Sequence, residues 1–222
     1  MEEQILFVPN SFQIALFFSQ EYSLKKLSIA MKISEVFQDI FSKDPSIPDI
    51  PLNTSVPADF PQILFRDENA GHLVVTNQRA DLVLLCNDTV MISNIPDLAL
   101  RLASCFDIHE IVRFGLVCNY KINEEISLSD IRKNFLSDEM LHNQVTGFSI
   151  GWTKSIKLSR YESTQFVNYV SSSLGNYVVV DHNTNPQEKL YLDNLQDIKN
   201  LTLEVMQYLG DGLNATIDWS SN

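Results

Sequence analysis

The chain alternates short apolar runs of strand character with single stretches of helical spacing, and that order narrows the fold more than any one motif. Phe12 to Phe18 (FQIALFF) is a short, aromatic-rich run that reads as a buried strand. Ser23 then offers an N-cap, and Leu24, Leu27, Ala30, Met31, Ile33, Phe37, Ile40 and Phe41 recur at helical spacing to about residue 42. Residues 43 to 61 carry five prolines, Pro45, Pro48, Pro51, Pro57 and Pro61. Proline lacks the N–H of a helix or inner strand, so this segment reads as a connector, apolar enough at Ile47, Ile50, Leu52 and Val56 to pack onto something. Gln62–Arg66, Gly71–Asn77 and Arg79–Cys86 follow as a meander, the first two joined by the polar turn Asp67-Glu68-Asn69-Ala70. Val90 to Ile92 extends the sheet, and Ser93 or Asn94 caps a helix with Pro96 in its first turn and Leu98, Leu102, Ala103 and Phe106 on its apolar face.

The second half repeats this grammar. Ile108 to Ile122 reads as one long strand, with His109, Arg113 and Asn119 on one parity. Ser127 and Asp130 resemble a capping box that opens a short helix through Ile131 and Phe135. Strands are expected at 145 to 158 and 164 to 171, and a hairpin pairing Tyr177–Asp181 with Lys189–Leu192 across Asn183-Thr184-Asn185-Pro186. The last helix is capped by Asn194, striped by Leu195, Ile198, Leu201, Val205, Tyr208 and Leu209, and stopped at Gly210. Runs of antiparallel strands broken by single helices predict an α+β fold: a curved antiparallel sheet in two pseudo-repeated lobes, strand-helix-strands-helix twice, with helices on one face. The lobes are expected at 1–107 and 108–222, in one compact unit.

Certain blocks of the chain resemble a sporadically distributed, functionally uncharacterised prokaryotic family of small α+β proteins. They are the proline-led pair Phe60-Pro61-Gln62-Ile63-Leu64-Phe65-Arg66 with His72-Leu73-Val74-Val75, then Gln78-Arg79-Ala80-Asp81, Ile111-Val112-Arg113-Phe114-Gly115-Leu116-Val117, and the last helix after Tyr191-Leu192-Asp193. They cover about two fifths of the chain, which departs from the family pattern at its N-terminus. The resemblance implies the architecture above and transfers no catalytic residue.

The chemistry that can be excluded follows from composition. Only seven glycines occur, with no GxxxxGK[ST] and no GxGxxG, so a P-loop or a standard Rossmann site is not expected. The formal charge of −12 disfavours nucleic acid and anionic membranes and suits a partner with a basic surface. The three dispersed cysteines, Cys86, Cys105 and Cys118, read as core packing in a reducing compartment. With an acidic start that lacks a basic n-region and with no long apolar run, the protein is expected in the cytoplasm. None of the four histidines has metal-ligand spacing, so no metal and no cofactor is expected.

What remains are two readings. The first is a non-enzymatic protein-interaction or regulatory subunit of a prokaryotic complex, in a defence or toxin-neutralising setting, or a homo-oligomer, with Ile47, Ile50, Leu52, Val56, Trp152 and Trp219 as interface candidates. The second is a small hydrolase-like enzyme in which Asp181 and His182, a strand-end acid/base pair, work with Arg113 from the sheet. The one basic stretch, Trp152 to Tyr161, supplies a third test, for single-stranded nucleic acid, against the plainer reading of a solvated strand.

Overall fold

The computed structural model describes residues 7–19, 24–49, 56–86, 92–122, 148–172, 175–187, 189–192 and 194–209. The elements run β1 (Phe7–Phe17), α1 (Lys26–Val36), β2 (Ile63–Asp67), β3 (Gly71–Val75), β4 (Arg79–Leu85) and α2 (Ile95–Ser104). They continue with β5 (Glu110–Ile111), β6 (Arg113–Ile122), β7 (Phe148–Lys157), β8 (Glu162–Ser172), β9 (Gly175–Thr184), β10 (Leu190–Tyr191) and α3 (Gln196–Gln207). Eight strands form one antiparallel sheet in the order β2-β3-β4-β1-β6-β9-β8-β7, and β5 and β10 pair separately. The fold is therefore α+β, with a large antiparallel sheet and three helices among the described residues.

Alternation sets the two faces. Phe12, Ile14 and Leu16 of β1, Leu82 and Leu84 of β4, Phe114 and Leu116 of β6, and Val178 and Val180 of β9 are all inaccessible to solvent. They join Ile29 and Ile33 of α1, Phe37 just after it, Leu98 and Leu102 of α2, and Ile198, Leu201 and Val205 of α3 in a single core cluster. Burial of this apolar surface is what orders the chain; each fully buried Leu, Ile or Phe contributes about 1.5–3 kcal/mol. The helices are also tied to one another. Arg101 of α2 stacks 4.7 Å from the Phe37 ring and bonds the carbonyl of Val36, the last residue of α1, and Asp39 beyond it, and Lys199 of α3 reaches Asp97 of α2.

Pro9 sits inside β1, where a missing N–H ought to break a ladder. It is tolerated because β1 bulges between Pro9 and Ser11, and the pairing with β4 starts only at Ser11.

Several expectations are corrected. The helix after β1 is shorter than its apolar spacing suggested, ending at Val36 with turns beyond, although Phe41 stays buried. The long strand from Ile108 splits at Val112, whose N–H bonds the Phe17 carbonyl; β5 then leaves the main sheet to pair with β10. No hairpin joins Tyr177–Asp181 to Lys189–Leu192: β9 lies between β6 and β8, and β10 pairs with β5. Ile92 belongs to a 3-10 turn and not to the sheet. Ser23, the segment from Ser127 to Phe135 and Gly210 lie outside the described residues. The last helix starts one residue later than a cap at Asn194 implies, with Leu195 at its N-cap; ahead of it the Asn194 side chain accepts the Gln196 N–H at 2.8 Å and Asp197 accepts the Asn194 N–H at 3.2 Å.

Candidate functional site

Neighbouring residues on a strand point to opposite faces, and this decides the fate of Asp181 and His182. His182 points into the core with no solvent exposure, and both ring nitrogens lack a hydrogen-bond partner. Burial pushes its pKa down to about 4, so it is neutral at pH 7. Asp181 points the other way and accepts a 2.5 Å hydrogen bond from Asn183 Nδ2. Burial raises its pKa, against the opposing pull of the Asn183 donor and the Arg113 charge. The two side chains do not converge, so the strand-end acid/base pair has no common substrate position. Arg113 does share Asp181's face of the sheet, since Val117, two strand repeats along β6, stands directly opposite Asp181.

That face carries a polar strip across the central strands. Asp81 of β4 is nearly fully buried and is satisfied by Arg79 Nε at 2.5 Å and Gln13 Nε2 at 2.7 Å. The Phe17 ring lies between two guanidinium groups, Arg113 at 3.7 Å and Arg79 at 5.6 Å from its centroid. One row of the register reads Asp81, Ala15, Gly115, Asn183 across β4, β1, β6 and β9. The two smallest side chains form its floor. A Cβ on Gly115 would come within 3.0 Å of Asn183 Oδ1, so glycine lets the Asn183 amide lie over β6.

Towards β7 this face deepens into a cleft of about 530 Å3, lined among others by Arg113, Asn183, Asn185, Thr164, Phe166 and Lys157. It offers cations, hydroxyls and amides around an exposed aromatic ring, which is equipment for holding a ligand. Phe166, Thr164 and Asn183 were not singled out from sequence. The signal that could have found them is strand parity, which sets them on the face of Arg113 once β6, β9 and β8 are known neighbours.

The interface candidates divide. Ile47, half-buried, lines with Pro45 a groove of about 1120 Å3 along α1. Val56 is half-buried, and Trp152 stands 43% exposed on β7. Ile50, Leu52 and Trp219 lie outside the described residues. The sequence pattern set Leu27 and Met31 with the buried side of α1, but they point outward into the groove, 72% and 73% exposed. The core-facing side of α1 is Ile29, Ala30 and Ile33.

The basic stretch is divided between faces. Trp152 and Lys154 share one parity of β7 and Lys157 the other, while Arg160 lies beside the Tyr161 ring and 3.9 Å from Asp197. One continuous stacking groove is not formed. Burial pushes the thiols up, Cys86 to about 11 and Cys105 and Cys118 to about 12, so they are protonated at neutral pH. Among the described residues no group of three or more His, Cys, Asp or Glu is placed to hold a metal ion, and no helix is long and apolar enough to cross a membrane. The chain matches no protein-family model, no curated protein and no solved structure.

Proposed function

We propose that this protein is a binding subunit that docks a partner protein on the outer side of α1. The observation that carries this reading is that α1 is apolar on two sides. Its inner side is used by the core, and Leu27 and Met31, one turn apart, remain more than 70% exposed above a groove that also contains Ala30, Pro45 and Ile47. Isolated exposed apolar side chains are ordinary, but a paired stripe over a groove is a feature of docking surfaces.

The groove's charged lining is one cation, Lys32, against two carboxylates, Glu35 and Asp44. The fitting occupant is an apolar segment, helical in its anchor spacing, with basic flanks, the sign that the net charge of −12 also favours. A prokaryotic complex of the defence or toxin-neutralising kind remains our proposed setting. The two-lobe reading belongs here too. Its support is the strand order: β1 and β6 are central neighbours, and each is flanked outwardly by the last, middle and first strand of its own meander.

The test is a pull-down with the full chain and its Leu27→Asp, Met31→Asp double variant, whose exposed positions leave folding intact by circular dichroism. Burying two such side chains supplies about 2 kcal/mol or more, so the variant should hold the partner about thirtyfold less tightly. A peptide of the partner's apolar, basic-flanked segment should compete. Equal retention by wild type and variant would end the reading.

A further inference from the structure

The guanidinium of Arg113 is in an unusual position. It lies 3.7 Å over the Phe17 ring, and its Nε–H is buried without a hydrogen-bond partner. A buried donor without an acceptor calls for an explanation, and for a cation the cost of leaving it so is larger than for a neutral group. The other strip arginine shows the contrast. Arg79, stacked on the same ring, closes a 2.5 Å ion pair with Asp81. Arg113 has Asp181 on its face, but that carboxylate takes its hydrogen bond from Asn183, and no ion pair forms between them.

Arg113 stands at one wall of the 530 Å3 cleft and Lys157 lines it from β7. Three inter-strand steps of about 4.8 Å separate β6 from β7, so the cleft between Arg113 and Lys157 is roughly 14 Å wide at the backbone. The floor between them is neutral and polar, with Thr164 opposite Asn183 in the register. Glu162 also lines the cleft, and it is the cross-strand neighbour of Lys157. Beside the floor Phe166 presents its ring, 43% exposed, although it sits mid-strand in a sheet. The volume is that of a small-molecule site.

We propose that this cleft binds a small organic anion, its carboxylate or phosphate held by Arg113 and its flat apolar part laid on Phe166. The stack on Phe17 fixes the guanidinium plane, and a planar fork of donors is the group that recognises such an oxyanion in bidentate fashion. The site is separate from the α1 groove, so it stands or falls independently of the docking reading.

The experiment is a titration of the full chain, followed by NMR, with benzoate, phenyl phosphate and inorganic phosphate. Saturable shifts at the Arg113 Nε–H and at the amides of Thr164 and Asn183 are expected. Benzoate and phenyl phosphate distinguish the carboxylate from the phosphate source. Arg113→Lys keeps the charge and loses the fork, and should weaken binding about tenfold. Phe166→Ala, at an exposed position, should weaken the two ring-bearing probes about fivefold and leave inorganic phosphate unchanged. The Leu27→Asp, Met31→Asp variant should bind all three as wild type does. Absence of a saturable shift with any probe, or unchanged affinities in both Arg113→Lys and Phe166→Ala, would overturn the proposal.

Discussion

His182 shows what a single buried titratable group does to a fold like this. It is neutral inside the protein with its pKa at about 4, against about 6.5 in an unfolded chain. Between those values the unfolded state binds the proton and the native state does not, so stability is full above about pH 6.5 and falls as pH drops towards 4. The loss amounts to about 2 kcal/mol by about pH 5, at about 1.4 kcal/mol per unit. Asp181 has the opposite sign: its raised pKa means the native state takes up the proton first, so acidification through that value stabilises. Replacing His182→Leu should leave the neutral-pH melting temperature equal or higher and flatten its decline towards about pH 5. Comparing the two proteins cancels the Asp181 contribution. Parallel pH profiles would show that His182 is not the group responsible. The opposite facing of Asp181 and His182 was readable from their adjacency on a strand. The meeting of Arg113 with Phe17 was not, because nothing local says that β6 lies beside β1.

Individual elements were legible where the signal is local, and misread where it is not. The alternating runs gave β2, β3 and β4 nearly to the residue, since the turn Asp67-Glu68-Asn69-Ala70 and the short gap before Arg79 permit only a meander. The partner of β9 was misassigned because Lys189–Leu192 is the nearest apolar run in sequence, whereas the native partners, β6 and β8, pair along most of the length of β9. The outward Leu27 and Met31 were missed for a related reason: spacing shows that a helix is apolar, but not which side its sheet takes. Two glycines in the left-handed half of backbone space give an element-scale test. Gly71 opens β3 at φ +133°, and a Cβ there would lie 2.1 Å from the Val83 carbonyl oxygen. Gly175 opens β9 at φ +121° with nothing within 4 Å. Gly71→Ala should therefore cost about 3 kcal/mol and lower the melting temperature by about 6–12 °C, while Gly175→Ala, which meets backbone strain alone, should cost about 1 kcal/mol. Equal losses from the two substitutions would contradict the steric account.

The whole molecule depends on one seam. β1 and β6 pair from Phe7 with Ile122 to Phe17 with Arg113, and one core cluster takes in both strands and residues of all three helices. A fragment of residues 1–107 would leave β1 with an unpaired edge and Phe12, Ile14 and Leu16 without part of their cover. The expected result is a fragment that aggregates or stays unfolded by near-UV circular dichroism, and a full chain that melts in one transition. A soluble, cooperatively melting fragment would show instead that the first lobe is autonomous.

The two outer strands differ in a way that limits how copies of this chain can associate. Ser46 and Leu64 exchange backbone hydrogen bonds, so the connector clamps the rim at β2, whereas no described strand pairs with the outer side of β7. Among the described residues, then, one rim is clamped and the other offers its backbone, a valence of one. Two copies that meet rim to rim through β7 would give a joined sheet ending in a clamped strand at both extremes, and growth would stop at a pair without propagating into a fibre.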